Sequence, residues 1–171
     1  MSSFLEPIFR ALNDAGIRYL VVGGLAAVLH GHARLTSDVD MIIDLEADEV
    51  RRALEVLETL GFQPRAPVDA RDFADAKNRA AWIAEKGMRV FSMWDPKNPL
   101  VEIDLFVDHP ILFDELWNES ELMPLSDTTA RVVSANHLIQ LKRMAGRPQD
   151  LQDVEALEAI QRERNAKPKA E

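Results

Sequence analysis

Hydrophobic and polar residues along the chain predict a mixture of helices and strands. The first helix contains Leu5, Ile8 and Leu12 at helical spacing and ends near Gly16. The other segments that predict helices cover residues 25–29, 49–60 and 134–145, followed by a last helix that begins at Pro148. The short apolar runs that predict strands cover residues 19–22, 39–43, 88–94 and 100–107.

These elements predict an α+β (α/β) protein in which a small mixed β-sheet is flanked by helices. Residues 1–110 alternate helices and strands and are interpreted as the core. Residues 111–164 are interpreted as a helical segment that packs on the core and ends in a helical hairpin. Residues 165–171 are charged and predict a disordered tail. Residues 64–79 predict a loop with one helical turn, and residues 111–133 show no clear pattern.

Composition excludes several classes of site. The chain has 171 residues, 47% of them hydrophobic, and its formal charge is −9. It has no cysteine, which excludes disulfides and zinc–thiolate sites. Its apolar runs are too short to cross a membrane, and its first residues do not resemble a secretory signal, so we expect a cytoplasmic protein. Such acidity argues against nonspecific binding of nucleic acid by the whole surface and leaves room for a local basic patch.

Acidic residues at the head of one strand and within another are the candidates for catalysis. Asp38 and Asp40 are separated by one residue, so their side chains point to the same side of a strand. Two such like charges are costly without a cation between them, although Asp38 alone could be a helix cap. Asp104 lies inside an apolar strand; if that strand pairs beside the first, three carboxylates could hold two Mg²⁺ or Mn²⁺ ions. Otherwise Asp104 lies at a solvent-exposed edge.

A glycine pair precedes these acids. Gly23 and Gly24 follow the first strand, and thirteen residues separate them from Asp38. Because glycine has no Cβ, the backbone at this turn can approach a phosphate, and the next helix offers free N–H groups. A plain structural turn is the alternative.

The order of these parts resembles the DNA polymerase β-like nucleotidyltransferase superfamily. That pattern has a glycine turn, an Asp-x-Asp strand and a third acid on a later strand, and here it covers roughly residues 17–107. The resemblance implies the nucleotidyltransferase fold and transfer of a nucleoside monophosphate from an NTP, ATP among them, to an acceptor hydroxyl. It assigns metal binding and catalysis to Asp38, Asp40 and Asp104.

A second segment, residues 138–157, resembles the AbiEii-type nucleotidyltransferase toxins. Their C-terminal motif places a lysine on one helix and an arginine before the next, and the matching residues here are Lys142 and Arg147. The resemblance implies that Lys142, which is also a catalytic candidate, and Arg147 bind the nucleotide. The two aspartates of the motif, Asp150 and Asp153, would hold that pair or act near the acceptor. A solvated surface charge and a local salt bridge are the alternatives.

The chain before Asp38 also resembles these toxins and adds Thr36 and Ser37 as nucleotide-binding candidates. Leu25 is a departure, because many members place Ser or Thr there. The resemblance implies an RNA acceptor such as tRNA and an antitoxin protein as partner. The alternatives are transfer to a small molecule of the antibiotic type, transfer to a protein, and a non-catalytic, antitoxin-like protein that binds NTP.

Overall fold

The computed structural model describes residues 4–167, which form one mixed β-sheet with helices packed against it. Within this range the sheet has seven strands in the order β3-β4-β5-β2-β1-β7-β6. Its strands are β1 (Tyr19–Val21), β2 (Asp38–Ile43), β3 (Gln63–Pro64), β4 (Val90–Asp95), β5 (Asn98–Phe106), β6 (Glu121–Pro124) and β7 (Thr129–Val132). Strand β2 is antiparallel to β1 and parallel to β5, so the sheet is mixed as predicted.

The helices are α1 (Glu6–Asp14), α2 (Gly23–Leu29), α3 (Ala47–Thr59), α4 (Ala76–Lys86), α5 (Phe113–Asn118), α6 (Ala135–Ala145) and α7 (Pro148–Ala166), with a 3₁₀ turn at Ala70–Ala74. Helices α6 and α7 pack against each other as the predicted hairpin, and α6 also contacts α2. The side chain of Ser134 caps α6 by accepting from the N–H of His137. Together with the sheet, these helices confirm the predicted fold class.

One face of the central strands is packed and the other is partly open. In β5, Val101, Ile103 and Leu105 are buried, whereas Glu102 and Asp104 between them are half-buried. Because successive side chains of a strand alternate between faces, the acids lie on the face opposite the core. Because one side of β5 is buried in the core, the carboxylates on its other side remain partly exposed to solvent.

Two segments differ from the prediction. Helix α4 occupies residues that include the end of the predicted loop 64–79; Asp75 caps its first turn and Gly87 ends it with a φ of 60°. Trp82 of this helix is buried and stacks on Phe91. These two capping residues were the available signal, but the weak amphipathic pattern between them concealed the helix.

Residues 111–133, which have no clear pattern, form α5, β6 and β7 and extend the sheet. Strand β7 pairs with β1 in parallel, and β6 forms the edge. Each of these two strands has four residues, so neither is long enough to display a clear alternation. The last third of the chain therefore contributes strands as well as the predicted helices.

Helix α7 continues to Ala166, which corrects the start of the predicted disordered tail at residue 165; residues 168–171 lie outside the described range. Between residues 4 and 167, every helix is too short or too polar to cross a membrane.

Candidate active site

Pairing of β2 with β5 brings together the three predicted acids. Asp40 is aligned with Asp104 in this parallel pair, and Asp38 is aligned with Glu102. Aligned residues on neighbouring strands share a face of the sheet, as do residues two apart on one strand. Asp38, Asp40 and Asp104 therefore lie on the same face, at the junction of the two strands.

The acids repel one another. Burial, followed by the charges of Asp104 and Asp38, raises the pKa of Asp40 to about 6. The backbone N–H of Gly24 and the charge of Lys142 act in the opposite direction without cancelling this effect. A carboxylate whose neighbours are also negative is stabilised by a cation, so this environment suits a divalent ion.

Asp104 has a similar environment and one added partner. Burial raises its pKa, while a hydrogen bond from the hydroxyl of Ser92, 2.5 Å from Asp104 Oδ1, lowers it. Ser92 lies directly opposite Asp104 on β4. No sequence signal points to Ser92, because the register of β4 on β5 is not visible in the sequence.

The donor set fits magnesium or manganese in chemistry, since carboxylate oxygens are the hard ligands that these ions prefer. Among residues 4–167, however, no three His, Cys, Asp or Glu side chains are already gathered with the geometry of a metal site. Binding of a metal ion by Asp38, Asp40 and Asp104 therefore stays a prediction.

The glycine turn packs directly on the acids. Gly23 has a φ of +65°, and a Cβ at this position would lie 2.0 Å from Asp40 Oδ2. A Cβ at Gly24 would lie 2.8 Å from Thr36 Oγ1. Contacts within the protein therefore leave no room for a Cβ at either glycine. This reason is separate from the predicted approach of the backbone to a phosphate. Helix α2 begins at Gly23 itself, two residues before the predicted start.

Thr36 and Ser37 lie on the segment that leads into β2. Ser37 Oγ donates to Asp38 Oδ1 at 2.9 Å, which orients the first acid. Thr36 packs over Gly24. The structure therefore brings both predicted residues to the turn and the acids, and their contact with a nucleotide stays a prediction.

A buried ion-pair cluster joins α6, α7 and the segment after α2. Lys142 Nζ lies 2.6 Å from Asp153 Oδ2 and 3.7 Å from Asp150 Oδ1, and all three side chains are almost fully buried. Arg34 Nη1 lies 2.5 Å from the same Asp153 oxygen, and His32 Nε2 lies 3.3 Å from the other. Asp153 therefore fastens the segment before β2 to the C-terminal hairpin.

Arg147 belongs to the rim of this cluster. Its side chain is largely exposed, and its Nε donates to Asp150 Oδ2 at 2.7 Å. Burial alone would raise the pKa of Asp150, but the hydrogen bonds and charge of Arg147 bring it below its usual range. The hydrogen bond to Asp150, together with nearby charges that include Asp40, raises the pKa of Arg147. The cluster thus lies within electrostatic reach of the acids.

No sequence pattern indicates a function for His32 or an ion-pair partner for Arg34. Arg34 and Asp153 are separated by 119 positions, so only the tertiary structure brings them together. The predicted pairing of Lys142 and Arg147 with the two C-terminal aspartates is present. Whether Lys142 and Arg147 bind phosphate stays a prediction.

Comparison with known proteins identifies the fold. No protein-family model and no curated protein matches the sequence. Several solved structures do match in fold, among them the following three. The first is the lincosamide antibiotic adenylyltransferase LnuA in its lincomycin-bound form, with 14% identity over 94% of this chain and 99% of that chain and a TM-score of 0.60.

The second is ANT(2″)-Ia in complex with adenylyl-2″-tobramycin, with 14% identity over 95% of this chain and 97% of that chain and a TM-score of 0.56. The third is an antigenic nucleotidyltransferase-like protein from Paracoccidioides brasiliensis, with 15% identity over 92% of this chain and 77% of that chain and a TM-score of 0.54. The chain therefore has the fold of nucleotidyltransferases, as predicted. Closeness to the AbiEii-type toxins stays a prediction.

Proposed function

We propose that this protein is a nucleotidyltransferase that moves a nucleoside monophosphate from an NTP to an acceptor hydroxyl. The observation that carries the proposal is the alignment of Asp40 with Asp104, beside Asp38 and the turn at Gly23, in a fold shared with nucleotidyltransferases. Acids gathered on an open face beside a glycine turn are the parts that phosphoryl transfer requires.

Asp38, Asp40 and Asp104 are the proposed ligands for Mg²⁺ or Mn²⁺. When bound, such ions neutralise the triphosphate and lower the pKa of the acceptor hydroxyl. Asp38 and Asp40 would hold both ions, and Asp104 would hold one and help to take the proton of the acceptor. Ser37 and Ser92 would position two of these carboxylates through their hydrogen bonds.

The nucleotide would lie on the side of the glycine turn and the ion-pair cluster. Gly23, Gly24, Thr36 and Ser37 would approach the phosphates. Lys142 and Arg147 would supply positive charge there, since the charge of Lys142 lowers the pKa of Asp40 and the charge of Asp40 raises the pKa of Arg147. In this proposal Asp150 and Asp153 hold the side chains of Lys142 and Arg147 in place.

The proposed acceptor is the end of an RNA such as tRNA, in a cytoplasmic toxin–antitoxin system with a protein antitoxin as partner. Support comes from the resemblance of residues 138–157 to the AbiEii-type toxins. The proposed organisation is a catalytic core in residues 1–110, followed by a C-terminal part that completes the nucleotide site.

A small hydroxyl-bearing molecule is the second candidate acceptor. Two of the matching structures are antibiotic-modifying enzymes, and the matches cover nearly the whole of those chains. The chain is also acidic, with a net charge of −9, which disfavours a large polyanion away from a local basic patch.

The test is transfer from labelled NTPs in the presence of Mg²⁺. Label on RNA supports the first acceptor, and label on an added aminoglycoside or lincosamide supports the second. Label on protein would identify a protein acceptor. NTP binding without transfer to any of these would indicate a non-catalytic protein and contradict the proposal. An Asp40→Ala variant is the control, since it removes a proposed metal ligand.

Metal binding is tested separately from activity. Mg²⁺ at about a hundred times its dissociation constant stabilises a protein by about 2.7 kcal/mol, which a thermal-unfolding experiment detects. We expect this stabilisation in the natural chain and its loss in Asp38→Asn, Asp40→Asn and Asp104→Asn. An equal response of all four proteins to Mg²⁺ would remove the metal assignment.

A further inference from the structure

The guanidinium of Arg34 lies against the glycine turn. A Cβ at Gly24 would lie 3.5 Å from Arg34 Cζ and 2.8 Å from Thr36 Oγ1, so both side chains border the Cα of Gly24. A Cβ at the neighbouring Gly23 would meet Asp40. Arg34, the turn and the central acid therefore form one continuous surface, to which Arg34 contributes a positive charge.

The protein holds only part of the Arg34 guanidinium. Nη1 donates to Asp153 Oδ2 at 2.5 Å, and Nε donates to the backbone oxygen of Leu35 at 3.3 Å. The third nitrogen, Nη2, has no hydrogen-bond partner among residues 4–167 and is accessible to solvent. The guanidinium is therefore fixed in orientation and retains N–H groups for a further acceptor.

The ion-pair cluster carries more positive than negative charge. Lys142 and Arg34 share a single oxygen of Asp153, and Arg147 is paired with Asp150, so three cationic side chains face two carboxylates. Arg147 is largely exposed to water, and Lys142 is enclosed by both carboxylates. The positive charge that has no carboxylate of its own therefore lies at Arg34, beside the turn.

This arrangement favours the approach of an anion. Lys142 already neutralises Asp153 at 2.6 Å, so the fold does not need a second cation on the same oxygen. Two cations on one carboxylate oxygen also repel each other, and a further anion beside Arg34 relieves that repulsion. A guanidinium is always charged, and its planar set of N–H groups matches the oxygens of a phosphate.

We propose that Arg34 is a substrate-binding residue that donates through Nη2 to the terminal phosphates of the NTP. This inference rests on the proposed function. In transfer, the acceptor oxygen bonds to the α-phosphorus, the bond from that phosphorus to the bridging oxygen breaks, and the leaving pyrophosphate keeps the electron pair. The proton of the acceptor hydroxyl passes to Asp104, as in the proposed function. Arg34 stabilises the charge that develops on the pyrophosphate, while Asp153 fixes the orientation of its guanidinium.

The test compares NTP binding with Mg²⁺ binding in Arg34→Gln. ATP, GTP, CTP and UTP are titrated in turn, with Mg²⁺ and without an acceptor, and binding is measured by calorimetry. Arg34→Gln should raise the dissociation constant of the NTP that binds by about ten- to a hundredfold, as expected for the loss of a hydrogen bond between charged groups. Mg²⁺ alone should stabilise Arg34→Gln against thermal unfolding as much as it stabilises the natural chain, because the three proposed metal ligands are intact. Arg34→Lys keeps the charge but cannot bridge Asp153 and a phosphate, so it should recover only part of the NTP affinity.

Arg143→Gln is the matched control, because Arg143 also pairs with a carboxylate of α7, Glu158, but lies outside the cluster. It should bind NTP and Mg²⁺ as the natural chain does. If Arg34→Gln does not fold, the partial loss of NTP affinity in Arg34→Lys decides the question.

Two results would overturn the inference and leave the proposed function in place. One is equal NTP affinity in the natural chain and the Arg34 variants. The other is a loss of the Mg²⁺ response together with NTP binding, because Arg34 would then act by shaping the segment before β2. If the natural chain itself binds none of the NTPs, the proposed function fails.

Discussion

Two groups of aspartates near each other in this protein have opposite electrostatic environments. Asp40 and Asp104, on the sheet, have raised pKa values because they are partly buried and lie near other acids. Asp150, on α7, has a lowered pKa because Arg147 and Lys142 are its partners. The first group has charge that the protein does not neutralise. The second group also includes Asp153, which is paired with Lys142 and Arg34, and its charge is neutralised within the fold. We infer that the first group is arranged to bind a cation and that the second provides structural support.

Removal of the central carboxylate should reduce activity more than any other change considered below. Asp40→Asn should reduce nucleotidyl transfer about a thousandfold, because a metal ligand supplies several kcal/mol of transition-state stabilisation. The same change should stabilise the fold at pH 7 by about 1–3 kcal/mol, measured by urea unfolding, since it removes a repelled charge. Unchanged transfer, or a loss of stability at pH 7, would contradict the inference that Asp40 carries an unneutralised charge and binds a cation.

The gain in stability that we expect from Asp40→Asn should depend on pH. The folded-state pKa of Asp40, about 6, is above its ordinary value of 3.8, so the ionised form is penalised by folding. The penalty is fully present above pH 6 and disappears as the pH falls toward 4. The stability gain of Asp40→Asn should therefore shrink between pH 7 and pH 4. Asp44→Asn is the control: Asp44 is paired with Arg18 at 2.8 Å, so this change should not stabilise the protein.

The second group should respond in the opposite direction. Asp153→Asn leaves Lys142 and Arg34 without the carboxylate that neutralises them, so we expect a loss of about 3–5 kcal/mol in the free energy of unfolding. Asp48→Asn removes an exposed ion pair with Arg51 and should change stability by less than about 1 kcal/mol. A small effect of Asp153→Asn would show that the cluster does not support the fold.

The sequence predicts the first group more fully than the second. A spacing of two residues in an apolar strand is enough to place Asp38 and Asp40 on one side, and an acid inside a second apolar strand points to Asp104. The cluster around Asp153 depends on His32 and Arg34, which are brought to α7 only by tertiary packing. The strands at residues 121–132 are equally hidden, because their form depends on pairing with β1 and with each other.

At the glycine turn, the cost of backbone strain can be separated from the cost of contact with the acids. Gly23→Ala puts a Cβ where Asp40 lies and also keeps a φ of +65°, so it should cost about 2–4 kcal/mol and displace Asp40. Gly87→Ala is the matched control, since Gly87 has a φ of +60° and nothing within 4 Å of an added Cβ. It should cost about 1 kcal/mol from the backbone alone. Equal losses in the two variants would show that the contact with Asp40 adds nothing.

The weakest effect should come from loss of the hydrogen bond that lowers the pKa of Asp104. Ser92→Ala removes the donor 2.5 Å from Asp104 Oδ1, and because that bond lowers the pKa of Asp104, its loss should raise this pKa further. A smaller share of molecules would then carry an ionised Asp104 as the pH is lowered, so transfer by Ser92→Ala should fall more than transfer by the natural chain at acidic pH and recover as the pH is raised. Ser92→Thr keeps the hydroxyl and should retain the natural pH–rate profile. If Ser92→Ala lowers the rate equally at every pH, the hydroxyl acts by positioning Asp104 and not through its charge. The contrast between the two groups of aspartates would then rest on Asp40 alone.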